Sequence, residues 1–237
     1  MQSPGEKTEK VITTYMERDL HLSLKYKFCR DRACHEIKVG RYVADVLSEG
    51  TIYEIQTGSF SPLRKKLEYY LENTDYNVII VKPIAKNRRI FWLDEASGEV
   101  VKAPRLSSKH ETLTSGISDL YYIRDFFGRE RIRFCFVIME IDEMRKLDGY
   151  GKNKKIRATS VDRIAGEIYS TQYINSSSDL AKAVLPLMPD EPFSRDELSK
   201  CLKLKGLKLW SVQKLLLELE LLTCRKDGRK LVFEKQK

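Results

Sequence analysis

The stretch from Val39 to Ala85 constrains this chain more than any other part of it. VGRYVADVL and TIYEIQTG are short runs rich in β-branched and aromatic residues, and Ser48-Glu49-Gly50 separates them. They read as a β-hairpin with Gly50 at the turn. In SPLRKKLEYYLE, Ser61 offers an N-cap and Pro62 a first helical residue, while Leu63, Leu67, Tyr70 and Leu71 form one stripe. YNVIIVKPIA, from Tyr76 to Ala85, is a continuous apolar run ending at Pro83, as expected of a central strand covered on both faces. Strand, helix and strand in that order make a βαβ-like unit, so the expected class is α/β.

The flanking sequence is read by the same rules. Thr8 to Leu22 and Ile117 to Phe127 read as helices, as does Val161 to Tyr169; Ser23 to Phe28, Glu36 to Val39, Arg89 to Leu93 and Arg133 to Ile141 read as strands. The composition shifts after Tyr173. Asn175-Ser176-Ser177-Ser178 is a polar break able to cap a helix from Asp179 to Met188. Ser194 and Glu197 match the capping-box spacing of a second helix, and Leu207 to Leu222 is a leucine-rich third. Thr223 to Glu234 reads as a hairpin around Asp227-Gly228. Three short helices followed by a hairpin is the layout of a winged helix. The expected domains are residues 1–175 and 176–237.

Charge narrows the partners. The 43 Lys and Arg outweigh 34 Asp and Glu, leaving a net +9, which favours a polyanion. No run approaches the roughly 18 to 20 apolar residues that span a bilayer, and Met1 to Lys10 lacks the apolar core of a secretory signal. No membrane association is therefore expected. The five cysteines are scattered and form no CxxC pair. Reduced thiols in a cytoplasmic protein explain them better than a zinc site begun by Cys29, Cys34 and His35. No Walker loop, GxGxxG or GxSxG occurs, so nucleotide hydrolysis, dinucleotide redox and serine hydrolase chemistry lack their marks.

A turn centred on Glu49-Gly50 sets Asp45 across from Glu54 and Val43 across from Gln56. Directly opposed residues hold their Cβ atoms roughly 4.5–5.5 Å apart, where two carboxylates repel unless something bridges them. A hard divalent cation is the natural bridge. A one-residue slip or a bulge is the competing arrangement, and it would turn one acid into solvent.

An acid on one strand, a short turn, Glu-x-Gln on the next, a basic helix and a buried apolar strand together resemble the PD-(D/E)xK nuclease superfamily, the restriction-endonuclease-like fold. The resemblance covers about Thr8 to Ala85 and extends toward Ile141. It implies a mixed central sheet flanked by helices, with Mg²⁺ or Mn²⁺ held by Asp45, Glu54 and the Ile55 carbonyl. It also implies a further acid from the first helix, for which Glu17 is the candidate and Glu36 the rival. Ala44 stands before Asp45, where the family has proline, and Gln56 stands where it has lysine. A neutral amide can orient water but supplies no charge, so Arg64, Lys65 or Lys66 on the following helix would have to restore a cation. The catalytic set so implied is Asp45, Glu54, Gln56 and Lys65, for metal-assisted hydrolysis of DNA phosphodiester bonds, with RNA also open.

Expected nucleic-acid contacts are Arg64 on the basic helix, Lys152, Lys154 and Lys155 in a basic loop, and Lys208 and Lys214 on the third C-terminal helix beside Ser211 and Gln213. Arg225, Lys226, Arg229 and Lys230 add the wing. Double-strand cutting would imply a homodimer. Two other readings stand beside this one: a DNA-binding or regulatory protein whose nuclease fold has lost activity, favoured by Gln56, and a scaffold dimerised by the leucine-rich helix.

Overall fold

The computed structural model describes residues 19–150, 158–228 and 230–236. It is an α/β protein with a mixed central sheet flanked by helices. Two compact units divide the chain. One gathers residues 36–84, 112–137 and 171–237; the other gathers 85–111, 138–170 and the described residues up to His35. The segment after residue 175 thus shares a unit with the hairpin.

The first unit carries the expected βαβ sequence. Strands β1 (His35–Val39), β2 (Tyr42–Ser48) and β3 (Thr51–Ile55) come first. The 3₁₀ turn Ser61–Leu63 and helix α2 (Arg64–Asn73) lead to β4 (Asn77–Leu93); the preceding helix, α1 (Leu20–Phe28), belongs to the other unit. β2 and β3 are antiparallel, and β3 runs parallel to β4 with Ile52 opposite Val78 and Glu54 opposite Ile80. Leu67 and Tyr70 of α2 are fully buried, as are Val78, Ile80 and Val81 of β4. The sheet order is β1-β2-β3-β4-β6-β7, with β5 (Val100–Leu106) also pairing with β4; β6 is Ile132–Lys146 and β7 is Thr159–Tyr173.

Four expectations differ from what is found. Leu20–Phe28 is helical, whereas Ser23 to Phe28 reads as a strand from sequence; Asp19 caps this helix by accepting from the His21 N–H. The stretch Val161 to Tyr169 lies in β7, where its β-branched and aromatic residues suit an extended edge. Pro83 does not end β4, which continues to Leu93. The β3 ladder stops at Ile55–Val81 and the β5 ladder begins at Arg89, so Pro83 falls between these two ladders, neither of which requires the N–H that proline lacks. The helix expected from Ile117 is a short α3 (Leu113–Ile117) running into a 3₁₀ segment, Ser118–Phe126.

The C-terminal elements are α4 (Ser177–Val184), β8 (Phe193–Ser194), α5 (Arg195–Leu202), α6 (Gly206–Glu218), β9 (Leu222–Asp227) and β10 (Lys230–Lys235). The capping box on Ser194 and Glu197 is present. The three-stranded sheet is ordered β8-β10-β9, with β9 and β10 a hairpin in the expected place. α6 packs on the 3₁₀ segment of its own unit: Trp210 meets Tyr121 edge to face at 4.9 Å and Arg124 pairs with Glu218 at 2.6 Å. Beside them, Thr114 of α3 donates to the Leu202 carbonyl of α5 at 2.8 Å. Among the described residues no helix is long and apolar enough to cross a membrane.

Candidate functional site

The β2–β3 hairpin has the expected register. Glu49 (φ 48°) and Gly50 (φ 72°) both adopt the left-handed conformation of a tight hairpin turn. Ser48 pairs with Thr51, Leu47 with Ile52 and Val46 with Tyr53. The next step of this register sets Asp45 opposite Glu54. There the ladder gives way to a side chain: the Ile55 N–H donates to Asp45 Oδ2 at 2.7 Å. A carboxylate thus takes over a backbone hydrogen bond where the strands part.

Glu54 is 2% exposed. Helix α2 satisfies it from one face, because Lys66 and Tyr70 are one turn apart. The Lys66 ammonium donates to Glu54 Oε2 at 2.5 Å, and the Tyr70 hydroxyl donates to Oε1 at 3.1 Å. Burial pushes the Glu54 carboxyl up to about 7. The Lys66 ammonium pulls it down and the charge of Asp45 adds to the rise. Burial, and then the Glu54 charge, hold the Tyr70 hydroxyl well above its ordinary value.

The residues that follow Glu54 are fixed by β4. The Gln56 N–H donates to the Val81 carbonyl at 2.8 Å, and its side-chain Nε2 donates to the Ser59 carbonyl at 2.7 Å. Lys82, 8% exposed, reaches under this turn. Its ammonium pairs with Asp119 at 2.7 Å, donates to the Gly58 carbonyl and lies 5.4 Å from the Phe60 ring centroid. Lys82 and Asp119 escaped the sequence reading. A lysine inside the apolar run Tyr76 to Ala85 was the available signal, since an ammonium there needs a partner.

The remaining candidates separate. Lys65 is exposed, and its neighbour Lys66 is the cation that meets Glu54. Arg64 is engaged by Asp125 through two hydrogen bonds of 2.5 and 2.6 Å and by the Tyr122 carbonyl, so it faces the 3₁₀ segment. The fork holds the Asp125 carboxyl below its usual range. Lys208 and Lys214 are exposed on α6, and Arg225, Lys226 and Lys230 are exposed on the β9–β10 hairpin. Ser211 and Gln213 are not exposed beside them: they are 1% and 7% exposed, because that side of α6 is covered. Glu36 is exposed at φ 56°. Glu17, Lys152, Lys154, Lys155 and Arg229 lie outside the described residues.

Among the described residues, no group of three or more His, Cys, Asp or Glu could hold a metal ion. The donor set that could take part is Asp45, Glu54 and the Ile55 carbonyl. These are hard oxygen donors, and one or two carboxylates are what Mg²⁺ takes from a protein alongside waters and phosphate oxygens. A buried acid raised partly by a second acid is chemically suited to a dication.

The chain belongs to the family described as "Domain of unknown function (DUF8091)", whose profile matches residues 18–175. It is 26% identical over 190 residues to an uncharacterized protein of Treponema pallidum (strain Nichols), a match covering 80% of this chain and 74% of the relative. No solved structure matches.

Proposed function

We propose that this member of the DUF8091 family is a Mg²⁺- or Mn²⁺-dependent hydrolase of DNA phosphodiester bonds, built on a restriction-endonuclease-like core with a C-terminal winged helix. The observation that carries the reading is the Asp45–Glu54 pair, with Lys66 against Glu54. In this reading Asp45, Glu54 and the Ile55 carbonyl hold the ion, which when bound polarises a phosphoryl oxygen and acidifies water. Lys66 supplies the positive charge that Gln56 cannot, from the helix instead of the strand. The Gln56 Nε2 donates to the Ser59 carbonyl, and the amide oxygen would be the atom to accept from a water in this reading. Lys82 and Asp119 hold the turn that carries Gln56.

The C-terminal elements support the winged-helix part through their order and through the sheet β8-β10-β9. Phosphate contacts fall to Lys208 and Lys214 and to the hairpin residues Arg225, Lys226 and Lys230. The leucines expected to dimerise the chain are partly used at home, since Leu209, Leu215 and Leu216 are buried within it. A cytoplasmic setting, where scattered cysteines stay reduced, is part of this reading.

A second reading, a DNA-binding protein without hydrolysis, is favoured by Gln56, whose side chain is tied to its own turn. The deciding experiment incubates the purified chain with single-stranded, duplex and RNA substrates and Mg²⁺ or Mn²⁺. Cleavage that Asp45→Asn abolishes is expected. No cleavage of any substrate, or equal cleavage by Asp45→Asn, refutes the hydrolase; binding that persists in chelator would then favour the second reading.

A further inference from the structure

We propose that Arg41, Tyr42 and Tyr69 form a stacking platform for an unpaired nucleobase beside the Asp45–Glu54 pair, so that the substrate is single-stranded or carries a single-stranded end. This inference rests on the nucleic-acid reading above and names the substrate class of that site.

Arg41 lies in the tight turn between β1 and β2, Tyr42 opens β2, and Tyr69 comes from α2. The Arg41 guanidinium carbon is 5.3 Å from the Tyr42 ring centroid and 5.1 Å from that of Tyr69. The two rings meet edge to face at 5.3 Å. Gly40 (φ 58°) brings the turn against the Tyr69 hydroxyl so closely that a Cβ at this position would collide with it. The platform is therefore pre-organised by the turn and by the helix, which lowers the ordering cost of binding.

Its place next to the acids follows from a chain of contacts. Tyr42 packs against Tyr70 at 6.2 Å, and the Tyr70 hydroxyl donates to Glu54 Oε1. Arg64 and Arg124 are each held by a carboxylate, Asp125 and Glu218. Arg41 is instead held by two rings and is exposed. An exposed guanidinium among tyrosines offers cation–π and stacking contacts that any base can use. The bases inside a duplex hide their faces against one another, so only an unpaired base can use this surface.

The test is fluorescence anisotropy of the full chain in chelator, with a labelled mixed-sequence single strand and with the blunt duplex of the same strand. Arg41→Ala and Tyr69→Leu are expected to weaken single-strand binding by about tenfold while leaving duplex binding unchanged. Tyr69→Phe, which keeps the ring, should bind both as the wild type does. Arg41→Ala changes an exposed side chain and keeps the test decisive should Tyr69→Leu fail to fold. Unchanged single-strand binding by Arg41→Ala overturns the platform, and so does an equal loss on both probes, which would make Arg41 a phosphate contact. A wild type that binds neither probe overturns the nucleic-acid reading as well.

Discussion

Glu54→Gln should remove a pH dependence of stability that the buried carboxyl imposes. The Glu54 carboxyl titrates near 7 in the folded chain, against 4.5 ordinarily, and burial is the main cause. A folded value above the unfolded one means that the native state holds its proton more tightly. The contribution is therefore fully present below pH 4.5, erodes as pH rises and is gone once pH passes about 7. A shift of this size corresponds to about 3 kcal/mol between the two limits. The measurement is urea unfolding in chelator from pH 4.5 to 8.5, comparing wild type with Glu54→Gln. The glutamine keeps a carbonyl for the Tyr70 hydroxyl and has no proton to lose. The wild type should weaken relative to the variant by roughly 3 kcal/mol across that window, with the difference flat above pH 7.5. Acids held low in the fold, such as Asp125 and Glu143, act in both proteins and cancel in the difference. A pH-independent difference between the two proteins would refute the claim that Glu54 is buried in an environment hostile to its charge.

Two other substitutions test separate parts of the structure. Asp45→Asn keeps an oxygen for the Ile55 N–H while removing the charge that pushes on Glu54, so at pH 8 in chelator it should unfold at or above the wild-type midpoint. Asp45→Ala removes that acceptor and should be about 1–3 kcal/mol less stable than Asp45→Asn; equal stability of the two would show that the hydrogen bond contributes nothing. In α6 the Ser211 hydroxyl is buried and has no hydrogen-bond partner among the described residues. Ser211→Ala should raise the unfolding free energy by about 1 kcal/mol, from the lost desolvation cost and the better helix propensity. A lowered midpoint would mean that a bound water or partner serves the hydroxyl.

The hairpin register was legible because a turn of Glu49 and Gly50 leaves few ways to pair the strands, and an alternating pattern penalises a slip. The capping box at Ser194 was legible because it is a local hydrogen-bond pattern. Val161 to Tyr169 was misread because this strand presents no fully buried face: its exposed Val161, Ile168 and Tyr169 leave no clean alternation of period two. Pro83 was misread because the tolerance for a missing N–H depends on where neighbouring ladders end, a fact about strands distant in sequence.

The same distinction separates the parts of the candidate site. Asp45 and Glu54 meet through a two-stranded local register, which sequence encodes. The choice of Lys66 over Lys65 depends on the helical phase of α2 relative to the sheet, which is set by Leu67 and Tyr70 entering the core. Residue 66 lies one turn before Tyr70, so any phase that buries Tyr70 over Glu54 also delivers the Lys66 ammonium to it, and Lys65 points to solvent. That phase could have been read from the stripe itself. Lys82 could not have been assigned its partner in the same way, because Asp119 lies on a 3₁₀ segment whose position is fixed only by tertiary packing. A buried cation in a sequence thus announces that a counter-charge exists, and the fold alone decides which acid supplies it.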